Sequence, residues 1–272
     1  MKKYILPSLL TFTILYSACS SNPYSATNRV YKKQAKELAR SLEGLPPVTN
    51  YGGKVPAYEV GTVNLNLRKP NYVIIHHTAQ NSCEQTLKTF TLQRTQVSAH
   101  YVICKDGTVH HMLNDYFRAW HAGNGKWGNN TDINSSSIGI ELDNNGYEAF
   151  SESQIASLMQ LLAVLKKNYS IPTANFIGHS DIAPGRKVDP NPKFPWQKLS
   201  QNGFGHWPDN LLDTVPAGFN GVQSLRMIGY NVKDSIAAIK SFKLHFIQSD
   251  LSPVLTPKDK TVIQNLLRKM DQ

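Results

Sequence analysis

The chain has 272 residues, 40% of them hydrophobic and 18% charged, which is enough for one sizeable domain and a small companion. A formal net charge of +10 suits an anionic partner such as nucleic acid, a membrane surface or a cell-wall polymer. The absence of an RNP-like aromatic pattern, a zinc-finger spacing or a Lys/Arg block argues against nucleic acid.

The first segment, MKKYILPSLLTFTILYSAC, sets Lys2 and Lys3 before an apolar run from Ile5 to Tyr16, then small residues and Cys19. That run falls short of the roughly 20 residues a spanning helix needs, and its basic flank marks residues 1–19 as a secretory signal. The SAC ending resembles a bacterial lipoprotein lipobox, with Cys19 as the lipidated residue. Here Leu15 stands one place early and Tyr16 takes the usual leucine slot. Ser20 follows where an Asp would signal retention, so the expected location is the periplasmic side of the outer membrane. Acyl chains, at about 0.8 kcal/mol per buried methylene, would be the sole membrane attachment. Cys83 and Cys104 remain, and an oxidising compartment permits a bridge that two cysteines alone do not establish.

Residues 20–68 read as a tether and lead-in: polar SSNPYSATNR, a short helix in YKKQAKELARSLEG ended by Gly44, then turn-rich PPVTNYGGKVPAY. NYVIIHHT, bounded by Pro70, predicts a buried strand, and CEQTLKTFTLQ has helical spacing. AHYVICKDGTVHHML is two strand-like runs about Asp106-Gly107, a hairpin signal. In SSSIGIELD, Ile138, Ile140 and Leu142 face one way, and Gly139, Glu141 and Asp143 the other. SESQIASLMQLLAVLKKNY predicts a helix with Ser151 and Gln154 at capping-box spacing and a stripe of Ile155, Leu158, Met159 and Leu162. NFIG is a last strand that delivers the chain into GHSDIAPGRKVDP, too rich in Pro and Gly for a helix. The interleaving predicts an α/β fold, a mixed central sheet with helices on its faces, over residues 69–208. Residues 209–272 carry three short helical patterns, the last with Thr256 as cap and Pro257 in its first turn, and predict a separate small helical domain.

Of nine histidines, two stand at strand ends: His76, on the face opposite Val73 and Ile75, and His179, with Asp189 closing the loop after it. Two imidazoles and a carboxylate can bind Zn²⁺ and leave a fourth position for water. On spacing alone, a hydrogen-bonded core or surface group is the more common reading of such a histidine. Glu141, mid-strand opposite an apolar face, is costly to bury without a purpose, although a salt bridge would also explain it.

The ordered segments IIHHT, VSAHYVI, AWHAG, SIGIELDN and GHSDIAPGRKVDP resemble the type-2 N-acetylmuramoyl-L-alanine amidases, over residues 70–208. The likeness is strongest to the outer-membrane lipoprotein amidases, through FPWQKL and GFGHWPD. It implies the amidase and peptidoglycan-recognition fold, and zinc on His76, His179 and Asp189. It also implies Glu141 as catalytic glutamate, and Lys187 beside the metal steadying an oxyanion. His77 points across the strand and reads as structural support. His100, Trp120 and His121 match segments lining a substrate groove, where ordinary wall packing is the rival reading. His110, His111, His206 and His245 receive no role. The implied reaction is hydrolysis of the amide joining the lactyl group of (anhydro-)N-acetylmuramic acid to L-alanine, in peptidoglycan or muropeptides, by a monomer. A non-catalytic recognition module is the alternative, and it should lack a metal ligand. SLRMIGY and SFKLHFIQ resemble a three-helix peptidoglycan-binding domain. Where the family often reads DPGP this chain has Asp189-Pro190-Asn191-Pro192, and Asn suits a turn that asks for positive φ.

Overall fold

The computed structural model describes residues 22–42, 67–212 and 214–270, so the signal segment, Cys19 and Gly44 lie outside the described residues. The chain divides into two compact units, 1–61 and 62–272. In the first, helix α1 (Ser25–Ser41) has no buried residue and begins upstream of the run expected to form it. Among the described residues no helix is long and apolar enough to cross a membrane.

The second unit is built on five strands: β1 (Tyr72–His77), β2 (Tyr101–Ile103), β3 (Val109–His111), β4 (Ser137–Leu142) and β5 (Phe176–Gly178). Their order is β3-β2-β4-β1-β5. Only the β2–β3 pair is antiparallel, joined by the expected hairpin, in which Gly107 takes a φ of 91°. Helices α2 (Cys83–Thr91) and α3 (Glu152–Tyr169) follow the sequence pattern closely. Ser151 caps α3 by accepting from the Gln154 amide at 3.1 Å. The Gln154 side chain does not complete a capping box. It donates instead to the carbonyls of Ile103 and Asp143, tying β2 to β4. A disulfide joins Cys83, opening α2, to Cys104 at the end of β2, which answers the question the sequence left open.

Strand alternation sorts the apolar residues into two cores. On one face Val73, Ile75, Ile138, Ile140 and Leu142 pack with Ile155, Leu158 and Leu162 of α3 and with Phe194 and Phe204. On the other, Ile74 and Ile177 meet α6 (Gly221–Ile228), α7 (Ser235–Phe246) and α8 (Pro257–Met270) through Leu225, Phe242 and Ile263. The short turns α4 (His179–Ile182) and α5 (Trp196–Gln201) lie between. The helices beyond residue 209 therefore share a core with the sheet, where the sequence pattern had suggested a body apart. Thr256 and Asp259 form the reciprocal cap of α8 at 2.8 and 3.1 Å. Fully buried Lys243 links α7 to α8 through Asp259 at 3.0 Å and pairs with Asp250 at 2.6 Å.

Candidate active site

Parallel sheets collect ligands at the carboxyl ends of their strands, and the polar side chains gather there. His76 and Glu141 are register partners on β1 and β4, and both stand on the face that carries Ile74. His76 Nδ1 lies 4.0 Å from Glu141 Oε1. Strand β5 ends at Gly178, beside Ile75, so His179 enters next to His76. The loop closes on itself where the Ser180 amide donates to the Asp189 carbonyl at 2.8 Å. His76 Nδ1, His179 Nδ1 and Asp189 Oδ2 then form a triangle with sides of 2.9, 3.1 and 3.0 Å. All three residues are buried.

This donor set fits a divalent ion. Ligands about 2.0–2.2 Å from a tetrahedral zinc stand about 3.3 Å from one another, close to the triangle's edges. Two imidazoles and one carboxylate are also donors zinc accepts. Burial first, and then the neighbouring His179, pushes His76 down to about 4, which keeps it a neutral ligand near pH 7. Burial alone would raise Asp189. The contacts with His179 and His76 outweigh it and hold that carboxyl well below the usual range. Glu141 has no such support: burial, then the Asp189 charge, pushes it up to about 8 against the opposing effect of Lys187. Its Oε2 is buried without a hydrogen-bond partner among the described residues. Lys187 is exposed on the loop, close enough to act on both Glu141 and His76.

Several expectations need correction. His100 is wholly inaccessible, so it cannot line a groove. It accepts from the Gly139 amide through Nδ1 and contacts the Phe117 carbonyl through Nε2. His121 is also buried, lying beneath His76 with its Nδ1 3.0 Å from His76 Nε2. The AWHAG segment turns inward because Asn134 Oδ1 accepts the amides of His121 and Ala122, which leaves Trp120 47% exposed. His77 accepts the Asn191 amide at 3.1 Å, a structural contact. Asn191 does not take up a positive φ; its amide side chain bonds to Asn144 and to the Glu148 carbonyl.

Asp181 and His245 hold a structural role that no sequence motif assigned to them. Asp181 is fully buried and accepts from the Gly178 amide, the Tyr230 hydroxyl and His245 Nδ1, each at 2.7 Å. An acid two places after His179 was a signal; its partners, 49 and 64 residues downstream, were not.

The family profile described as N-acetylmuramoyl-L-alanine amidase matches residues 66–192. N-acetylmuramoyl-L-alanine amidase AmiD of Escherichia coli K12 is 31% identical over 232 residues, 74% of this chain and 83% of that protein. The chain belongs to the N-acetylmuramoyl-L-alanine amidase family. The amidase also shares its fold with solved relatives. AmiD in complex with the substrate anhydro-N-acetylmuramic acid-L-Ala-D-gamma-Glu-L-Lys has a TM-score of 0.68 at 29% identity, over 78% of this chain and 94% of that one. AMPDH3 of Pseudomonas aeruginosa, in complex with anhydromuramic pentapeptide, has a TM-score of 0.69 at 25% identity, over 80% of this chain and 98% of that one. The mixed sheet flanked by helices agrees with both.

Proposed function

We propose that this amidase is a zinc enzyme that cleaves the amide between the lactyl group of anhydro-N-acetylmuramic acid and L-alanine in muropeptides. The observation that carries the reading is the triangle of His76, His179 and Asp189 with the Glu141 carboxylate beside it. The solved complexes of its relatives with anhydromuramyl peptides support the substrate class.

His76, His179 and Asp189 would hold the ion. When bound, zinc acts as a Lewis acid that acidifies water toward a pKa of about 7 and polarises a carbonyl. Glu141 is the general base. A cation at the triangle, together with Lys187, favours its ionised form over the neutral form that burial alone would impose. It takes a proton from the water attacking the carbonyl carbon and delivers it to the amine of L-alanine as the C–N bond breaks, leaving a lactyl carboxylate. The Lys187 ammonium would offset negative charge on the carbonyl oxygen, a role worth about 2.7–4 kcal/mol of barrier for a comparable donor. The signal in residues 1–19 would direct export, and acyl chains on Cys19 would anchor the enzyme on the periplasmic side of the outer membrane, for a role in wall turnover.

Purified protein given a defined anhydromuramyl tripeptide should release a peptide beginning with L-Ala, detected by mass spectrometry, and lose that activity to a chelator. Glu141→Gln should keep its zinc and lose about 10²–10⁴-fold in kcat. Binding of the muropeptide without release would overturn the reading.

A further inference from the structure

We propose that His121 is a positioning residue: it holds His76 as the Nε2–H tautomer and so turns the His76 Nδ1 lone pair toward His179 and Asp189. The inference rests on the reading of that triangle as a metal site.

The proton positions follow from the far end of a chain of contacts. The Ile133 carbonyl has only lone pairs, so Ser137 Oγ, at 2.6 Å, spends its single proton there. Along its 3.2 Å contact with His121 Nε2, Ser137 can then only accept, so a neutral His121 carries its proton on Nε2. His121 Nδ1 is left bare and accepts from His76 Nε2–H across 3.0 Å. A neutral His76 protonated there has a bare Nδ1, the atom that faces His179 Nδ1 and Asp189 Oδ2. Metal-binding histidines commonly donate the second ring N–H to a carboxylate or a carbonyl. Here a second imidazole takes that place, and its own acceptor is a serine that has no other proton to give.

The surroundings are shaped to hold this ring. Asn134 fixes the backbone on either side of it through the His121 and Ala122 amides. Gly139, mid-strand on β4, leaves the space the ring occupies: a Cβ there would run into the His121 ring carbons. The other imidazole of the triangle has no counterpart among the described residues, where His179 Nε2 is buried without a partner. The relay therefore acts on one ligand alone.

Two measurements test it: zinc affinity by competition with a chelator, and ¹⁵N chemical shifts of the His76 ring in the metal-free protein. Wild type should show His76 protonated at Nε2. His121→Ala should mix the tautomers and weaken zinc binding about 10–100-fold. His121→Asn, whose amide oxygen can replace Nδ1 as acceptor, should recover most of that loss, which a purely packing role would not predict. Ser137→Ala, a smaller change for use if the alanine variant fails to fold, should mix the tautomers and give a lesser loss. Zinc affinity within about twofold of wild type in the folded variants, or a wild-type His76 protonated at Nδ1, would overturn the proposal. A wild-type protein with no zinc affinity would sink the metal reading instead, and the His76 tautomer would still decide the relay.

Discussion

The two halves of the site are supported by different means. His76 and Glu141 sit on neighbouring parallel strands at the same register, so backbone pairing fixes both positions, and His121 secures the His76 ring from below. His179, Lys187 and Asp189 lie beyond the end of β5, His179 opening a single helical turn and the other two on the loop after it, outside the strand pairing. That loop is steadied by Asp181, whose carboxylate gathers the Gly178 amide from its own segment with Tyr230, between α6 and α7, and His245 of α7. His245 also stacks on Trp196, with ring centroids 3.8 Å apart. One half carries its support locally, and the other imports it from residues 209–272. The C-terminal residues are thus part of what shapes the triangle of His76, His179 and Asp189.

The strongest way to break this comparison is to remove residues 209–272. Ile74, Ile177 and Ile182 would lose their cover of Leu225, Phe242 and Ile263. Full burial of such a side chain is worth about 1.5–3 kcal/mol. Exposing three of them costs on the order of a small domain's whole stability, about 5–15 kcal/mol. The fragment 1–208 is expected to lack a cooperative thermal transition and to bind no zinc. A fragment that melts cooperatively with wild-type zinc affinity would show that the helices are an independent domain.

A smaller effect sharpens the contrast from the other side. The Cys83–Cys104 disulfide closes a sequence separation of 21 residues between α2 and β2. A loop of that size is worth about 3 kcal/mol by chain entropy. Replacing both cysteines by serine should lower the urea midpoint accordingly, while zinc affinity and kcat stay at wild-type values, because β1 and β4 keep their pairing without it. A loss of zinc affinity in the folded variant would mean that the strand-borne half also depends on a distant clamp.

The same division explains how much was legible in the sequence. Alternation in NYVIIHHT and SSSIGIELD placed His76 and Glu141 on the face away from α3, because a strand's period of two is a local property. The family motifs named His179 and Asp189, and the structure brings them to His76. The inward turn of His121 and His100 was not legible. Both lie in segments whose direction is set by contacts distant in sequence, with Asn134 in one case and with Gly139 and Phe117 in the other. Gly139 was the missed signal: a glycine in mid-strand often marks the close approach of another group, here an imidazole. The union of the C-terminal helices with the sheet was hidden for a related reason. An amphipathic pattern shows that a helix has an apolar face and leaves open which surface covers it.

Tyr230→Phe is the finest cut through the imported support. It removes one donor from a buried carboxylate and changes no packing volume. A hydrogen bond to a charged group contributes about 1.5–3 kcal/mol, so a stability loss of that size is expected in urea titration. The loss should reach the site by one route, through Asp181 to the segment that carries His179 and Asp189. Zinc should therefore dissociate faster, with the His76 tautomer in the metal-free protein unchanged, since His121 and Ser137 do not touch this network. His121→Asn combined with Tyr230→Phe should then show additive effects on zinc affinity, as expected for sites that share no partner. Strong coupling between the two substitutions would mean that the strand-borne and loop-borne halves move as one.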